Sequence, residues 1–446
     1  MVLTGFQKMY FGMARLGPSI MLDILDLASA LFYFSLSSLP AIYTGTAIGL
    51  SYISIMLAEL TFGNLSDRFP TKRWGRRKPF ILVGAPLMAA SFLLVFNPYL
   101  FIAEGDVIGL FFYATITMSL FKVFYGMTMT PFQSWMPELT EPEERPAVSS
   151  WLNVANFTGF TIGTFGAALL AIQVTEWKIP TVILVMILVF VVIELLGFLP
   201  SLIGLHKEGR FIPQPSIMKD LRRALKNRDY VGWLVAQGLL SVGVAMVVKT
   251  TFPFINDYLT FGVAEFVIFG VELLSVVFIF FVIYQITIRR KGKRFTLQLA
   301  MMLAVISLPF TLVITTAWEG FTLLAFTGAG IAGYYLLPYI VFADFAHRDE
   351  IETGEGHAGF YTSFPTIPVN GMNALSGFLW GIIFSLPAIV PVPGQAELVS
   401  QGYLFWGPIS ALFMFLSVLV LFKVNIDPDF KALEATYKEG PPELEE

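Results

Sequence analysis

Cysteine is absent from this chain of 446 residues, histidine occurs three times, and charged residues make up only 13% of the sequence. Without cysteine, the chain can form no disulfide and offers no thiolate ligand to a metal. The sequence around His206, His347 and His357 contains no Ser-His-Asp set, no metal-ligand spacing and no Walker-type glycine-rich loop. We therefore expect no enzyme activity, no metal, no cofactor and no ATP-driven pumping.

Hydrophobic residues, in contrast, make up 56% of the chain, and its mean hydropathy is +0.72. A soluble protein carries about a quarter of its residues as charged side chains, so this composition predicts an integral membrane protein with the lipid bilayer as its main partner. The net charge of -4 gives no sign of nucleic-acid binding.

Twelve apolar runs are each about long enough to cross a hydrocarbon layer of roughly 30 Å, and none alternates with period two. The sequence therefore predicts an all-α membrane protein with twelve transmembrane helices. The runs cover about residues 19–40, 43–66, 79–101, 107–133, 148–172, 179–203, 231–256, 262–288, 295–316, 320–345, 358–387 and 402–423.

The longest polar interruption divides these spans into two sets of six. It predicts an N-terminal bundle over 1–205, a cytoplasmic linker over 206–230, a C-terminal bundle over 231–423 and a cytoplasmic tail over 424–446. Placing both termini on one side puts 25 of the 28 lysines and arginines there, the exceptions being Lys122, Lys178 and Lys249. Because basic loops stay in the cytoplasm, we expect cytoplasmic termini in an inner or plasma membrane protein.

The basic loop between spans 2 and 3 reads GNLSDRFPTKRWGRRKP over residues 63–79. Here Gly63 allows two helices to approach closely, and Asp67 lies where it can accept hydrogen bonds from a neighbouring helix N-terminus. The basic side chains around Gly75 are expected to hold the loop at an anionic membrane surface; they are Arg73, Arg76, Arg77 and Lys78. The loop as a whole is expected to act as a gate that latches one conformation of the protein. A plain positive-inside anchor is the alternative interpretation.

Charged residues inside spans are costly and are functional candidates by default. Asp23 and Asp26 lie three residues apart on one face of span 1, where they predict an acidic pair facing a cavity, or a carboxylate solvated near a helix end. Lys249 in span 7 could pair with either aspartate, as part of a substrate-responsive site or as a static ion pair. Three further charges inside spans are weaker candidates: Lys122, Glu194 and Glu272.

The basic loop resembles the loop between helices 2 and 3 of major facilitator transporters, and it is most similar to the glycoside-pentoside-hexuronide:cation symporter branch. RRKGKRF at 289–295 echoes RWGRRKPF at 73–80, as a parallel repeat would. ADFAHRDEIETGEGHAGFYTSF at 343–364 resembles the family's loop between helices 10 and 11, and Asp344, Asp349 and Glu350 match its acidic positions. The resemblance implies a major facilitator fold of two six-helix halves.

In this family, carboxylates in helices 2 and 4 coordinate sodium or take up a proton. The resemblance puts Glu59 on the second carboxylate of helix 2, whereas Ile55 and Met129 stand where the family has its other acids. Asn370 stands at the position of a lysine in helix 11. A hard cation such as sodium needs several oxygen ligands, so the match favours coupling to protons, carried either by Glu59 or by the face of Asp23 and Asp26.

The expected function is secondary active symport of a sugar, a glycoside or a related small solute by alternating access, with a proton as the coupling cation. One alternative is a carrier of lysolipids or other amphiphiles, and a second is a non-transporting factor for membrane assembly or pigment delivery. The expected partners are lipid, a small-molecule substrate and the coupling cation, and the expected oligomeric state is a monomer.

Overall fold

The computed structural model describes residues 3–68, 75–140, 144–174, 178–205, 224–353, 364–430 and 433. Long helices account for most of this part of the chain. The first six spans contain α1 Gly5–Met13, α2 Leu16–Ala30, α3 Ala41–Arg68, α4 Lys78–Val95, α5 Val107–Leu139, α6 Arg145–Gln173 and α7 Thr181–Gly204. The remaining helices are α8 Arg228–Pro253, α9 Val263–Ser307, α10 Ala317–Thr353, α11 Thr366–Phe384 and α12 Gly402–Leu421.

Two of these helices end in wider π-helical turns. Helix α2 continues through Leu31–Leu36, and α8 continues through Phe254–Tyr258. Short 3₁₀ segments follow α4 and α9, at Pro98–Leu100 and Leu308–Leu312. The turn between α1 and α2 is short, so the two helices together make one membrane pass.

Helix α9 contains two passes, because its continuity is broken at Gly292. This residue has φ 84° and ψ 171°, a conformation that is strained for any residue with a side chain. Tyr284 and Ala300, each eight residues from Gly292, both lie against Gly333 of α10. The chain therefore folds back at Gly292, as predicted for separate spans 8 and 9.

Eleven helical stretches among the described residues are long and apolar enough to cross a membrane, and the one over Val263–Leu312 is 50 residues long. Since that stretch folds back on itself, the described part of the chain contains twelve passes. The prediction of an all-α membrane protein with twelve transmembrane helices is confirmed. The boundaries of the linker over 206–230 and of the tail stay predictions, because residues 206–223 and most of the tail lie outside the described residues.

The even number of passes puts residues 3 and 430 at one end of the bundle, here called the terminal face. The other end, here called the opposite face, carries a feature that the sequence analysis did not predict. A small antiparallel hairpin, β1 Ala388–Pro391 and β2 Leu398–Ser400, joins α11 to α12. Span 11 accordingly ends at Phe384, three residues earlier than expected.

The two halves meet along α3 and α11, where two small-residue motifs cross. Gly45 and Gly49 are four residues apart in α3, as are Gly377 and Gly381 in α11. A Cβ atom at Gly45 would lie 2.5 Å from the Gly381 Cα atom and 2.5 Å from the Gly377 carbonyl oxygen. Such motifs let membrane helices pack backbone to backbone, so the seam near the opposite face depends on the absence of side chains.

Candidate transport site

A cluster of charged and aromatic side chains lies in the middle of the bundle; we call it the central cluster. Lys122 of α5 is 1% exposed and donates a hydrogen bond to Asp26 of α2, at 2.6 Å between Nζ and Oδ1. The Lys122 Nζ atom also lies 3.8 Å from the centroid of the Tyr52 ring on α3. All three residues belong to the first half, so Asp26 and Lys122 form an ion pair within that half.

Lys249 enters the central cluster from the second half. Its Nζ atom lies 4.9 Å from the centroid of the same Tyr52 ring. It donates to the Ser376 hydroxyl of α11 at 3.4 Å and to the Ala245 carbonyl one turn earlier on its own helix at 3.2 Å.

The expected pairing of Lys249 with Asp26 or Asp23 is therefore replaced by a different arrangement. The ammonium group that bonds Asp26 belongs to Lys122, which the sequence analysis ranked as a weaker candidate. Lys249 instead turns back toward the start of its own helix, because the Ala245 carbonyl accepts its hydrogen bond. No carboxylate lies within ion-pair distance of Lys249 among the described residues.

Asp23 and Asp26 have different surroundings, although they share one helix. A Cβ atom at Gly163 of α6 would lie 2.8 Å from the Asp23 Cβ atom, so Asp23 faces α6. Nearer the terminal face, Asn156 of α6 accepts hydrogen bonds from Arg15 at 3.2 Å and from Ser19 at 3.0 Å. The acidic pair therefore separates into one residue against α6 and one bonded to α5.

Glu59 and Asn370, which the sequence analysis proposed separately, meet across the seam between the halves. The Asn370 side-chain amide of α11 donates to the Glu59 carboxylate of α3 at 2.9 Å. The other positions matched to acids of the family carry buried apolar side chains here, Ile55 and Met129. Gly126 of α5 packs against Ala58, the neighbour of Glu59, so closely that a Cβ atom added at Gly126 would lie 2.9 Å from the Ala58 Cβ atom.

The opposite face holds a second polar contact between the halves. Ser35, at the end of the first pass, donates to the Asp257 carboxylate at 2.6 Å, and Tyr403 of α12 also donates to Asp257. Phe34 packs beside these groups, with its ring centroid 5.4 Å from that of Trp380 of α11. The halves are thus joined at this face by one hydrogen-bonded carboxylate and by aromatic packing.

The second-half family motif lies at the terminal face. Asp344 forms an ion pair with Lys293, which follows the turn at Gly292. Glu350 is exposed and lies 3.7 Å from His347, whereas Asp349 is buried. The part of this motif over residues 354–363 lies outside the described residues.

Other charges at the terminal face are paired within the second half. Arg348 binds Asp229 at 3.1 Å and Glu352 at 2.8 Å, and these residues line a cleft of about 390 Å³. The Asn425 backbone N–H donates to Asp229 at 3.0 Å, which joins the end of the last pass to the start of α8. The cleft lies at the terminal face, away from the central cluster, and three of its charged side chains are paired with one another: Arg348, Asp229 and Glu352.

Only part of the basic loop can be placed. Arg73 and the Asp67 side chain lie outside the described residues, and Gly75 has a positive φ of 78°. Arg76 is half-buried, but Arg77 is only 3% exposed, and Lys78 donates to the Leu202 carbonyl at 2.9 Å. Arg77 is therefore packed into protein and the half-buried Lys78 is bonded to α7, whereas the role of the basic loop at an anionic membrane surface stays a prediction.

Gly63 does not make the close helix approach expected of it. A Cβ atom there would meet Thr130 at 3.4 Å, an ordinary contact. The tight approach between α3 and α5 occurs one turn earlier in α3, at Ala58 and Gly126. Glycine at position 63 is thus not required by the packing seen here.

Two carboxylates among the weaker candidates lie away from the central cluster. Glu194 of α7 is fully buried, its backbone packs against Gly17, and both of its carboxylate oxygens lack a hydrogen-bond partner among the described residues. Glu272 of α9 has one such oxygen. Neither residue contacts Asp26, Lys122 or Lys249.

Four residues that join the halves or complete the cluster were not predicted from the sequence: Ser35, Tyr52, Asp257 and Ser376. Asp257 was placed just outside span 7, although it is a carboxylate at the end of an apolar run, which is a signal that could have been used. The two glycine motifs in spans 2 and 11 were equally visible. Tyr52 and Ser376 carry no such signal, because single tyrosines and serines are common in spans.

Comparison with known proteins decides the family. The sequence profile described as MFS/sugar transport protein matches residues 8–428, nearly the whole chain. The chain belongs to this family. The expected resemblance to major facilitator symporters is therefore confirmed, and the protein is a multi-pass membrane transporter of the sugar-transport type.

Individual relatives are distant. The isoprimeverose transporter of Lactiplantibacillus pentosus is 22% identical over 421 residues, which cover 90% of this chain and 85% of that protein. The inner membrane symporter YicJ of Escherichia coli is 27% identical over 164 residues, and this local match covers 36% of the chain and 35% of YicJ. Neither relative favours the lysolipid carrier or the assembly factor.

Solved structures support the fold. The inward open conformation of the xylose transporter XylE from E. coli matches with a TM-score of 0.63 at 14% identity, over 97% of this chain and 98% of that one. The nucleoside transporter NupG matches with a TM-score of 0.63 at 11% identity, over 96% of this chain and 98% of that one. The two six-helix halves of the major facilitator fold are thereby confirmed.

Proposed function

We propose that the protein is a proton-coupled symporter of a small sugar-type solute in the cytoplasmic membrane, working by alternating access between its two halves. The observation that carries this proposal is the hydrogen bond between Glu59 and Asn370, because it joins a carboxylate of one half to an amide of the other. When the halves separate along α3 and α11, Glu59 loses this partner. A partly buried carboxylate without a partner is favoured in its protonated form.

Protons suit this site better than sodium. Sodium needs several oxygen ligands, and two positions that carry acids in the related symporters hold buried Ile55 and Met129 here. A single carboxylate can carry one proton without further ligands. The name of the isoprimeverose transporter, which is similar over 90% of the chain, supports a sugar or glycoside as the solute class.

The orientation follows from the basic residues. We place the terminal face in the cytoplasm, since 25 of the 28 lysines and arginines map to that side. The opposite face, where the Ser35 and Asp257 contact and the glycine seam join the halves, is then external. In this arrangement the halves are joined at the external face by the Ser35 and Asp257 contact and by the glycine seam.

Uptake into proteoliposomes tests the proposal. We expect an inward proton gradient to drive accumulation of a labelled solute from a panel of pentosides and hexosides. Glu59→Gln should lower this accumulation by roughly tenfold or more while leaving exchange without a gradient intact, because the amide keeps a hydrogen bond but cannot release a proton. Glu104→Gln, in an exposed loop, is the matched control.

Full accumulation by Glu59→Gln would contradict coupling through this residue. Accumulation driven by a sodium gradient, and not by a proton gradient, would contradict the proposal that the coupling ion is a proton. If folded protein transported none of the sugars, the solute class would be wrong.

A further inference from the structure

The first and seventh passes end at the opposite face with the same backbone structure. Each ends in a π-helical turn, Leu31–Leu36 in the first half and Phe254–Tyr258 in the second. Two residues after each turn the chain has a positive φ, at Ser38 (55°) and Thr260 (51°). This conformation is uncommon for residues with a side chain and an outlier for β-branched ones. Because π turns and such strained residues are frequent at functional sites, these two ends are candidates for a moving part.

Backbone hydrogen bonds show which residues of the two ends correspond. In each end an N–H donates to the carbonyl oxygen five residues earlier; these bonds are Ser37 to Phe32 at 2.9 Å and Leu259 to Phe254 at 3.0 Å. Ser35 and Asp257 each lie two residues before the donor, so they occupy equivalent positions in the two halves. Parallel repeats are related by an axis along the membrane normal. The hydrogen bond between Ser35 and Asp257 therefore lies at this axis, where the halves meet.

The hydrogen bonds at Asp257 all use the carboxylate as the acceptor. Its Oδ2 atom accepts from the hydroxyls of Ser35 and Tyr403, and its Oδ1 atom accepts from the Asn256 amide at 2.8 Å. An ionised carboxylate can accept all three bonds, whereas a protonated one carries an O–H that must itself donate. Protonation also removes the charge that makes such bonds roughly twice as strong as neutral ones. Neutral Asp257 would therefore hold Ser35 more weakly.

The surroundings of Asp257 contain no positive charge bonded to it among the described residues. Helix α12 contributes the Tyr403 hydroxyl, and the end of the first pass contributes Ser35 and the Phe34 ring. On the same turn as Asp257, the Tyr258 hydroxyl points away and donates to the Ile314 carbonyl at 2.9 Å. Asp257 is partly exposed at the opposite face. Water at that face can thus deliver a proton to it.

We propose that Asp257 is a proton-binding site of the opposite face, and that its protonation loosens the contact between the first and seventh passes and favours opening toward that face. The site is separate from Glu59, which is bonded to Asn370 at the seam. It goes beyond the proposed function, because it concerns when one side opens and not which residue couples transport to protons. In the orientation proposed above, an acidic external medium favours the state open to the outside.

Distances between two spin labels at the opposite face test this proposal. The natural chain contains no cysteine, so labels can be placed on Glu104→Cys in the first half and Gln395→Cys in the second, both exposed. Double electron–electron resonance on the purified full-length protein measures their separation without depending on thiol chemistry at each pH. From pH 8 to pH 5 we expect the ratio of long to short distances to rise about five- to tenfold, as for loss of one hydrogen bond to a charged group.

Aspartate variants locate the response. Asp257→Asn carries no charge and does not titrate, so it should show at pH 8 the distances of the wild type at pH 5, with no further change. Asp106→Asn is the matched control, because Asp106 lies at the same face and accepts a hydrogen bond from the Gly109 N–H of its own helix at 2.9 Å. It should keep the pH response of the wild type, and so should Glu59→Gln.

Tyr403→Phe gives a second test that keeps the carboxylate. It removes one donor to Asp257, and a donor to the charged form favours that form. The midpoint of the distance change should therefore move to higher pH, by roughly one to two pH units. A midpoint that stays at the wild-type pH in folded Tyr403→Phe would contradict the proposal.

Other outcomes would overturn the proposal while leaving proton-coupled symport standing. One is an identical distance distribution at pH 5 and pH 8 in the wild type, and another is a pH response that survives Asp257→Asn. A response that is lost in Glu59→Gln and kept in Asp257→Asn would assign it to the coupling residue instead. Conversely, an intact response at Asp257 in a protein that shows no gradient-driven uptake would overturn the proposed function alone.

Discussion

The two ends of the bundle hold the molecule together in different ways. At the opposite face, contacts cross between the halves: Ser35 bonds Asp257, Phe34 packs on Trp380, and α3 meets α11 at glycines. At the terminal face, each ion pair found among the described residues stays within one half. Lys8 binds Glu144 in the first half, and Arg348 binds Asp229 in the second.

Contacts between the halves and contacts within one half have different effects on the protein. Contacts between the halves must break when a transporter changes state, so their strength sets the balance between states. Contacts within a half move with that half as a rigid body and are kept in every conformational state. They therefore stabilise the fold without shifting the balance between states. We therefore expect substitutions at the opposite face to alter conformation and transport, and substitutions in the terminal ion pairs to alter mainly stability.

The largest effect is expected from Gly45→Ala. Its added Cβ atom would lie 2.5 Å from atoms of Gly377 and Gly381 in the closed seam. Overpacking of this kind costs about 1–3 kcal/mol, and here only the state closed at the opposite face bears that cost. The state open at this face should gain roughly 5- to 150-fold in relative population, and uptake should fall sharply.

A single reporter cysteine measures the change, since the natural chain contains none. Ser376→Cys, buried at the centre, should react faster with an impermeant maleimide from the opposite face when Gly45→Ala is present. Gly371→Ala on α11 is the matched control, because its Cβ atom would meet only the Met56 sulfur at 3.8 Å. Equal labelling in Gly45→Ala and Gly371→Ala would show that the glycine seam does not set the balance.

A smaller shift is expected from Ser35→Ala, which removes a hydrogen bond between the halves while Tyr403 still donates to Asp257. Loss of about 1 kcal/mol should raise labelling of the same reporter about fivefold. Ser54→Ala is the control, because the Ser54 hydroxyl bonds the Leu50 carbonyl of its own helix. An unchanged labelling rate in Ser35→Ala would show that packing, and not this hydrogen bond, keeps the halves closed at the opposite face.

The smallest effect is expected from Asp229→Asn at the terminal face. Arg348 keeps Glu352 as a partner, and both side chains of the Asp229 pair are partly exposed. The free energy of unfolding should fall by about 1 kcal/mol or less, measured by thermal melting, while uptake stays within twofold of the wild type. Glu350→Gln in the exposed pair with His347 provides the comparison. A large loss of uptake without a loss of stability would mean that this ion pair affects the balance between conformational states.

Sequence reasoning predicted the fold well, because each membrane pass leaves a local signal. An apolar run must be long enough to cross the bilayer, and even the close pair of spans 8 and 9 was separated correctly by its basic turn. The hairpin between α11 and α12 left a weaker signal. It is short and lies outside the membrane spans, where hydropathy says little.

The site was predicted less completely, because pairing depends on how helices rotate against each other. Asp26, Lys122 and Lys249 were all visible as charges within spans, but nothing local showed that Asp26 bonds Lys122. Glu59 and Asn370 were proposed from separate family matches, and their contact across the seam required the packed structure. Arg77 shows the same limit, since a basic residue in a basic loop gave no sign of being buried.

The turn at Gly292 has a consequence for how the protein is made. Asp427, just beyond the last pass, accepts hydrogen bonds from the Lys293 and Arg294 backbone N–H groups at 2.7 and 2.9 Å, which caps the helix that follows the turn. Lys293 and Asp427 are separated by 134 residues, so a ribosome working at about 5–20 residues per second delivers the cap roughly 7 to 27 seconds after the turn. Until then the ninth pass enters the membrane with its first turn unfinished, and a chain truncated directly after α12 would never complete it.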